Sequence, residues 1–499
     1  MKRWTQWLVA VILALSLALP AMAEQPTFVE TEEVFWYVLE SHLSKPQESQ
    51  LVQGALQHVS EMAQQEKNMQ LSVREEDDTL PELRARLQEW QRLGGWDDSI
   101  INSWAIEGML VSLQDPHTAF FTAEDLLFFQ SSVENQFVGF GFRLRLQDGA
   151  FIIREIVPGS PAEGSELKRG DRIMEVDGHS LVDIPFEEAY LYLQGEEGSE
   201  SVLKVYRPSE DRVLEVKLKR AAMSLPEAVG QLFDRGGIGY IRLETFGSDA
   251  AYQMKDALDA FAKSGKPLTG LILDVRDNGG GYLFAARDIA SLFMEEGLLM
   301  YTTNRNGVEV ETWVRNGNDI GIPVRILVNN GSASASELLS GALRDHGIAQ
   351  LVGTKTYGKG SAQQVIMLSE GDALKLTLNE YFTPHHNVVN HVGLEPDLLV
   401  EDDGAQVVAA LRSLGVQSWE VSDQDGDTVI NGIAFPTVHP VFKQGENGLE
   451  VRAAVLAELL GEEDIKLLEY VSLTPYLQKH PSLQLQEKNG LYILSYTSK

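Results

Sequence analysis

The chain has 499 residues, 43% hydrophobic and 23% charged, the proportions of globular domains rather than of a disordered chain, and enough for about two to four of them. A formal net charge of −32 excludes nucleic acid and anionic lipid as favoured partners and aids solubility. Cysteine is absent, which excludes disulfides, thiol chemistry and thiolate metal sites, so stability must come from the core.

Residues 1–23 read as a secretory signal peptide. Lys2 and Arg3 precede the apolar stretch Trp7–Leu19, and Ala21-Met22-Ala23 gives the small-residue cleavage pattern. No cysteine follows Ala23 for lipid attachment. The expected location is therefore outside the cytoplasmic membrane, in the periplasm, envelope or medium. A membrane anchor, and with it cell-envelope association, is the alternative if the segment is retained. Residues 24–132 read as a helical region, with Trp36, Leu39, Leu43, Leu51, Leu56 and Val59 recurring near helical spacing and a loop at Arg74–Asp78. Periodicity alone leaves open whether these faces form a core or pair two copies into a homodimer. Asp115, Pro116, His117 and Thr118 read as a turn with a helix cap rather than as catalytic groups.

Residues 133–220 contain Phe137–Leu144 (FVGFGFRL). Its glycines free the backbone for a tight turn. Together with Val157–Ala162 (VPGSPA), Leu167–Ile173 (LKRGDRI) and Val176–Ser180 (VDGHS), this segment resembles a PDZ domain. The resemblance implies that the backbone N–H groups of Phe140, Gly141 and Phe142 hold the peptide.

Residues 221–400 alternate strand and helix patterns. Gly239–Phe246 reads as a strand, Ala251–Lys263 as a helix, and Leu271–Val275 as a short buried strand ending at Arg276-Asp277-Asn278-Gly279-Gly280-Gly281. Next comes Arg325–Val328, then the serines Ser332, Ser334 and Ser336, then a helix with Leu338, Leu339, Ala342 and Leu343 on one face. A strand, a small-residue turn and a helix make an anion-friendly N-terminus, where a serine hydroxyl can sit beside N–H groups able to stabilise an oxyanion. A lysine kept neutral by burial could serve as its base. Ala373–Phe382 alternates as a strand. Asp274 and Asp277 read as structural caps. His385, His386 and His391 match no metal-ligand spacing, and no cofactor is expected.

GSASASE followed by Lys359 in YGKGSAQQ resembles the C-terminal processing (tail-specific) peptidases, which use a serine–lysine dyad. The resemblance spans residues 104–400, including Trp104–Gln130 and the closing Gly393–Asp397 (GLEPD). It implies an α/β multidomain fold: a helical N-terminal region, a PDZ domain and a crotonase/Clp-like α/β protease core. It further implies Ser334 as nucleophile, Lys359 as base, Gln363 as its orienting partner, and an oxyanion hole of the Gly280 and Ala335 N–H groups. Substrates would be polypeptides held by their C-termini. Two positions depart from the family. Gly279 replaces a proline, loosening the turn, and Gln194 replaces an arginine associated with activation by bound peptide.

Glu401–Gln406 (EDDGAQ) reads as an acidic linker to a separate small α+β module, residues 405–499, loosely resembling the stalk-like N-terminal domain of copper amine oxidases. Two alternatives stand beside proteolysis. One is an inert protease-like scaffold that binds peptides uncut, suggested by Gly279 and Gln194. The other is nucleotide binding, because Gly353–Gly360 (GTKTYGKG) falls one residue short of a P-loop and carries glycine where its hydroxyl belongs. Lys355 is a rival base without flanking glycines.

Overall fold

The computed structural model describes residues 28–498 apart from 148, 234–236, 266, 425–426, 438, 446–447 and 489; the signal segment lies outside the described residues. No helix among them is long and apolar enough to cross a membrane. The chain divides into two compact units.

The first unit takes in the chain up to Leu126 with 304–306 and 362–379. Its helices are α1 (Val29–Ser41), α2 (Glu48–Lys67), α3 (Leu80–Gly94) and α4 (Asp98–Ser112). Helix α3 begins where Pro81 can sit without an N–H partner and Glu82 takes the Thr79 N–H. Helices α2 and α4 cross at two glycines: a Cβ at Gly54 would lie 2.7 Å from the Gly108 carbonyl. Leu51, Leu56 and Val59 are fully buried, but Trp36 is 48% exposed and Phe35 takes the inward position. Arg74–Asp78 is a loop, though Asp77 is buried against Arg86 at 2.8 Å. The Asp115–Thr118 segment is a turn. The helix cap lies further on, where Asp125 takes the Thr122 N–H at the start of α5 (Ala123–Val133).

The second unit holds the PDZ-like segment, the α/β core and the C-terminal module. The strands Gln136–Gly139 and Ala221–Ser224, entering and leaving the PDZ-like segment, pair antiparallel. Between them, six strands and helix α6 (Phe186–Leu193) enclose Phe140, Phe151, Ile153, Ile173, Leu203 and Val205.

The core sheet runs in the order Ala228–Leu232, Ile238–Leu243, Gly270–Asp274, Val324–Val328, Ala349–Gly353, Leu398–Leu399, and is parallel after the first strand. Gly270–Asp274 is buried throughout, which explains its unbroken apolar run. Residues alternate between two faces. Leu271, Leu273, Ile326 and Val328 pack on α7 (Ala250–Lys263), α8 (Leu283–Ala290) and α9 (Ala335–Asp345). Ile272, Leu327 and Val352 face the other way.

That second face corrects the expectation of a linker and separate module. Residues 401–406 lead directly into helix α10 (Asp403–Ser413), capped by Asp402, with Gln406, Val407, Val408 and Leu411 buried. The helix packs beneath the sheet. Trp419 and Phe435 complete one cluster with Tyr240 and Phe233. The rest of the module is α+β: a five-stranded and a three-stranded sheet with α11 (Ala453–Leu460) and α12 (Thr474–Lys479).

Two buried acids set a pH dependence of stability. Glu30 sits in the first turn of α1 beside Glu370 and Asp372, with one oxygen unpartnered among the described residues. Glu227 sits against Glu134 and takes the Asp249 N–H. Burial first, and these neighbours second, push each up to about 7. The folded state therefore holds protons that the unfolded state releases near pH 4.5. Their contribution to stability is full below that, declines as pH rises, and is lost through pH 7. Calorimetric Tm is expected to rise as pH falls from 8 to 5.5, and Glu30→Gln with Glu227→Gln should flatten the slope. A Tm that instead rises toward pH 8 would contradict this.

Candidate active site

The strand Val324–Val328 ends at Asn329, and the next turn is fixed by its own serines. Ser332 Oγ donates to the Val275 carbonyl (2.7 Å) and Ser336 Oγ to the Asn278 carbonyl (2.8 Å). Both are fully buried, so they are structural groups. Between them Ser334 occupies the cap of α9 with φ 57° and ψ −114°. A non-glycine residue at positive φ stores strain of order 1–3 kcal/mol, and such strain gathers at functional sites.

What holds Ser334 there is a residue sequence reasoning passed over. Glu337 is completely buried. One of its oxygens accepts the Ser334 N–H (3.0 Å) and the Lys359 N–H (2.9 Å). The other accepts the Gly358 N–H (2.7 Å) and the Thr356 hydroxyl (2.5 Å). Four donors satisfy a charge that burial would otherwise make costly. A second bridge comes from Tyr381, also fully buried, whose Oη lies 2.9 Å from the Ser334 carbonyl and 2.7 Å from the Lys359 carbonyl. Burial, with the Glu337 charge second, raises its pKa well above the usual tyrosine value, so it is a neutral donor. The structure thus brings Ser334 and Lys359 together through their backbones.

The glycines beside Lys359 have a steric cause. Gly358 has φ 94°, and a Cβ there would lie 3.0 Å from the Gly393 nitrogen. Gly360 would meet Asn390 closer still. Lys355 is exposed and paired with Glu395 at 2.8 Å. Ser361–Met367 is a strand, not the helix whose N-terminus a P-loop needs.

Gly280 lies against the serine: its added Cβ would stand 2.9 Å from Ser334 Cβ and 3.0 Å from the Ala335 nitrogen. Its own N–H donates to Asn278 Oδ1 at 2.9 Å, whereas no hydrogen bond engages the Ala335 N–H among the described residues. The loop is anchored by Asn278 Nδ2 on the Leu243 carbonyl and by the Phe246 N–H on the Gly280 carbonyl. Asp277 exchanges hydrogen bonds with Asn329. Asp274 is paired with Arg276 at 2.6 Å and accepts the Tyr240 hydroxyl. Burial would raise Asp274, but the guanidinium outweighs it and holds the carboxyl below its usual value. Both aspartates serve structure.

Gln363 belongs to the first unit. There its amide donates to Thr377 Oγ1 (3.2 Å). Thr118 Oγ1 also lies beside Thr377 and donates to Asp115, which pairs with His42. Burial opposes the Asp115 charge, yet the His42, Thr377 and Thr118 bonds hold its pKa well down. The Asp115–Thr118 turn therefore helps to place Gln363 within the first unit.

In the PDZ-like segment, Gly141 has φ 86° and no room for a side chain against Ser160. The Phe140 and Gly141 carbonyls accept from Ala162 and Val157, while their N–H groups bond to nothing among the described residues. Phe142 stacks on Phe140. Gln194 is exposed at the end of α6. The buried Arg220 instead holds that end through the Leu193 and Tyr192 carbonyls and lies over the Phe140 ring. No sequence pattern marked Arg220. Among the three histidines, His386 stacks on Tyr301 and His385 faces Asp345.

Residues 237–400 match the family described as Peptidase family S41, and residues 138–218 match the PDZ domain. The carboxyl-terminal-processing protease of Picosynechococcus sp. is 34% identical over 304 residues, covering 60% of this chain and 73% of that relative. The carboxy-terminal processing protease CtpB of Bacillus subtilis is 30% identical over 359 residues, 71% of this chain and 74% of its own. Among solved structures, the photosystem II D1 C-terminal processing protease aligns with 75% of this chain and 93% of its own, at 24% identity and a TM-score of 0.46.

Proposed function

The chain belongs to the carboxyl-terminal-processing serine proteases of Peptidase family S41, and from that membership we propose that Ser334 is its nucleophile and Lys359 its general base. The observation that carries the assignment is the double bridge from Glu337 and Tyr381, which fixes both backbones. Lys359, neutral, takes the Ser334 proton as Oγ attacks the scissile carbonyl. The oxyanion is met by the Ala335 N–H and by the Gly280 N–H once it leaves Asn278. Collapse breaks the C–N bond, and Lys359 delivers the proton to the departing amine. Lys359, neutral again, then takes a proton from water as it attacks the acyl ester, and returns it to Ser334 Oγ as the ester C–O bond breaks and the carboxyl product leaves. Gln363 orients Lys359 in this reading. No step calls for a metal or organic cofactor. The inert-scaffold alternative is not favoured.

We read the core as crotonase/Clp-like, on its parallel sheet and the loop-borne N–H donors. The substrates are polypeptides entering by their C-termini, with the carboxylate on the Phe140, Gly141 and Phe142 N–H groups. The Lys2-Arg3 start, apolar stretch and Ala21-Met22-Ala23 support action outside the cytoplasmic membrane. Amidating the C-terminus of a tailed substrate is expected to raise KM roughly tenfold with kcat unchanged, the value of one charge-assisted contact. Gly141→Val should erase that difference. Equal KM for free and amidated tails would remove the PDZ reading without touching the dyad.

A further inference from the structure

The second unit encloses a cavity of about 560 Å³ where the back of the PDZ sheet, the strands Ala228–Leu232 and Ile238–Leu243, and the C-terminal module meet. Four arginines line it, in a protein of net charge −32. Three have partners. Arg242 lies 2.8 Å from Glu244, Arg169 lies 2.7 Å from Asp427, and Arg143 makes long pairs to Glu244 (3.5 Å) and Glu155 (3.7 Å). Arg154 makes no hydrogen bond or ion pair among the described residues, although it feels Asp427 and Glu155 through space. Four cations against three anions leave one positive charge uncompensated. Burial first, and the neighbouring Arg242 and Arg143 charges with it, push the Arg154 pKa down against the pull of Asp427 and Glu155, as for a cation short of a counter-ion. The rest of the wall mixes apolar residues, among them Val157, Leu225 and Val229, with Ser224, Gln231 and Tyr240.

We propose that this cavity is an anion site, separate from the catalytic serine and from the PDZ carboxylate loop, and that it takes a carboxylate on an aliphatic or peptide body with the carboxylate on Arg154. The planar guanidinium offers a two-pronged donor matched to a carboxylate. The cavity volume lies within the range of small-ligand sites, and the apolar residues in its mixed wall give a carbon chain something to pack on that a bare ion would not use.

The test is calorimetric titration of the full-length protein with three probes: succinate, inorganic phosphate, and a blocked tripeptide carrying one aspartate and an amidated C-terminus. Succinate or the tripeptide is expected to bind, the first pointing to a free dicarboxylate and the second to a protein side chain. Arg154→Gln should weaken binding at least tenfold, while cleavage of an unfolded tailless substrate stays at the wild-type rate. Ala434→Trp, which fills the cavity from the C-terminal module, should block binding with all four arginines intact. It also keeps the test decisive if Arg154→Gln fails to fold. Binding of phosphate alone would overturn the carboxylate assignment. Absence of binding by every probe, or binding that neither variant weakens, would overturn the site.

Discussion

Ser334→Ala and Lys359→Ala are each expected to lower kcat on an unfolded protein substrate by roughly a thousandfold or more, because members of one covalent machine fail together rather than additively. KM should move little, since neither side chain is needed to hold an extended polypeptide. Lys359→Arg should not rescue, because a guanidinium cannot give up its proton near neutral pH. Stability separates loss of chemistry from loss of fold. Ser334 sits at φ 57°, where alanine keeps the strain and glycine relieves it. Ser334→Ala should melt near wild type, and Ser334→Gly should melt higher, by roughly 1 kcal/mol, while remaining inactive. If either the Ser334→Ala or the Lys359→Ala protein cut substrate at the normal rate, the dyad would be wrong.

The groups proposed to react are easier to read from the chain than the groups that hold them. Ser334 and Lys359 carry motifs because their neighbours are restricted: small residues at the turn and glycines under the approach of Asn390 and Gly393. Glu337 gave no such sign. An acid in the first turn of a helix reads as a favourable dipole partner, and nothing local says that its carboxylate reaches the Lys359 loop. Tyr381 was one inward residue of an alternating strand, and its hydroxyl contacts are with residues far away in sequence. The turn at Asp115 shows the same limit. Its form was legible, but its support of Gln363 through Thr377 depends on a strand hundreds of residues later. At Glu401–Gln406 the acidic letters misled. Asp402 is a helix cap, and the apolar residues after it close the second face of the protease sheet. Composition sees the cap's charge, while burial is decided by the helix it starts.

Glu337→Gln is the substitution expected to damage both fold and rate. The carboxylate serves four donors with two oxygens, whereas an amide keeps one oxygen and turns the other position into a donor. Whichever way the amide lies, a backbone N–H faces an NH2 group: either those of Ser334 and Lys359, or that of Gly358. Thr356 can still accept from that NH2 group, since the Leu394 N–H at 2.7 Å uses only one lone pair of its hydroxyl oxygen, but this leaves the Gly358 N–H without an acceptor. Each orphaned donor in a fully buried place costs about 1–3 kcal/mol, so the loss should be roughly 3 kcal/mol, read as a lower denaturation midpoint. The surviving folded fraction should turn over at least roughly a hundredfold more slowly, since misplacing the reacting groups by about an ångström suffices for that. Tyr381→Phe is the milder companion. It removes one donor shared between two carbonyls, and should keep the fold within about 1.5 kcal/mol while lowering kcat about tenfold at constant KM. A Glu337→Gln protein with wild-type midpoint and kcat would mean that the Ser334 turn and the Lys359 loop hold their places without the carboxylate between them.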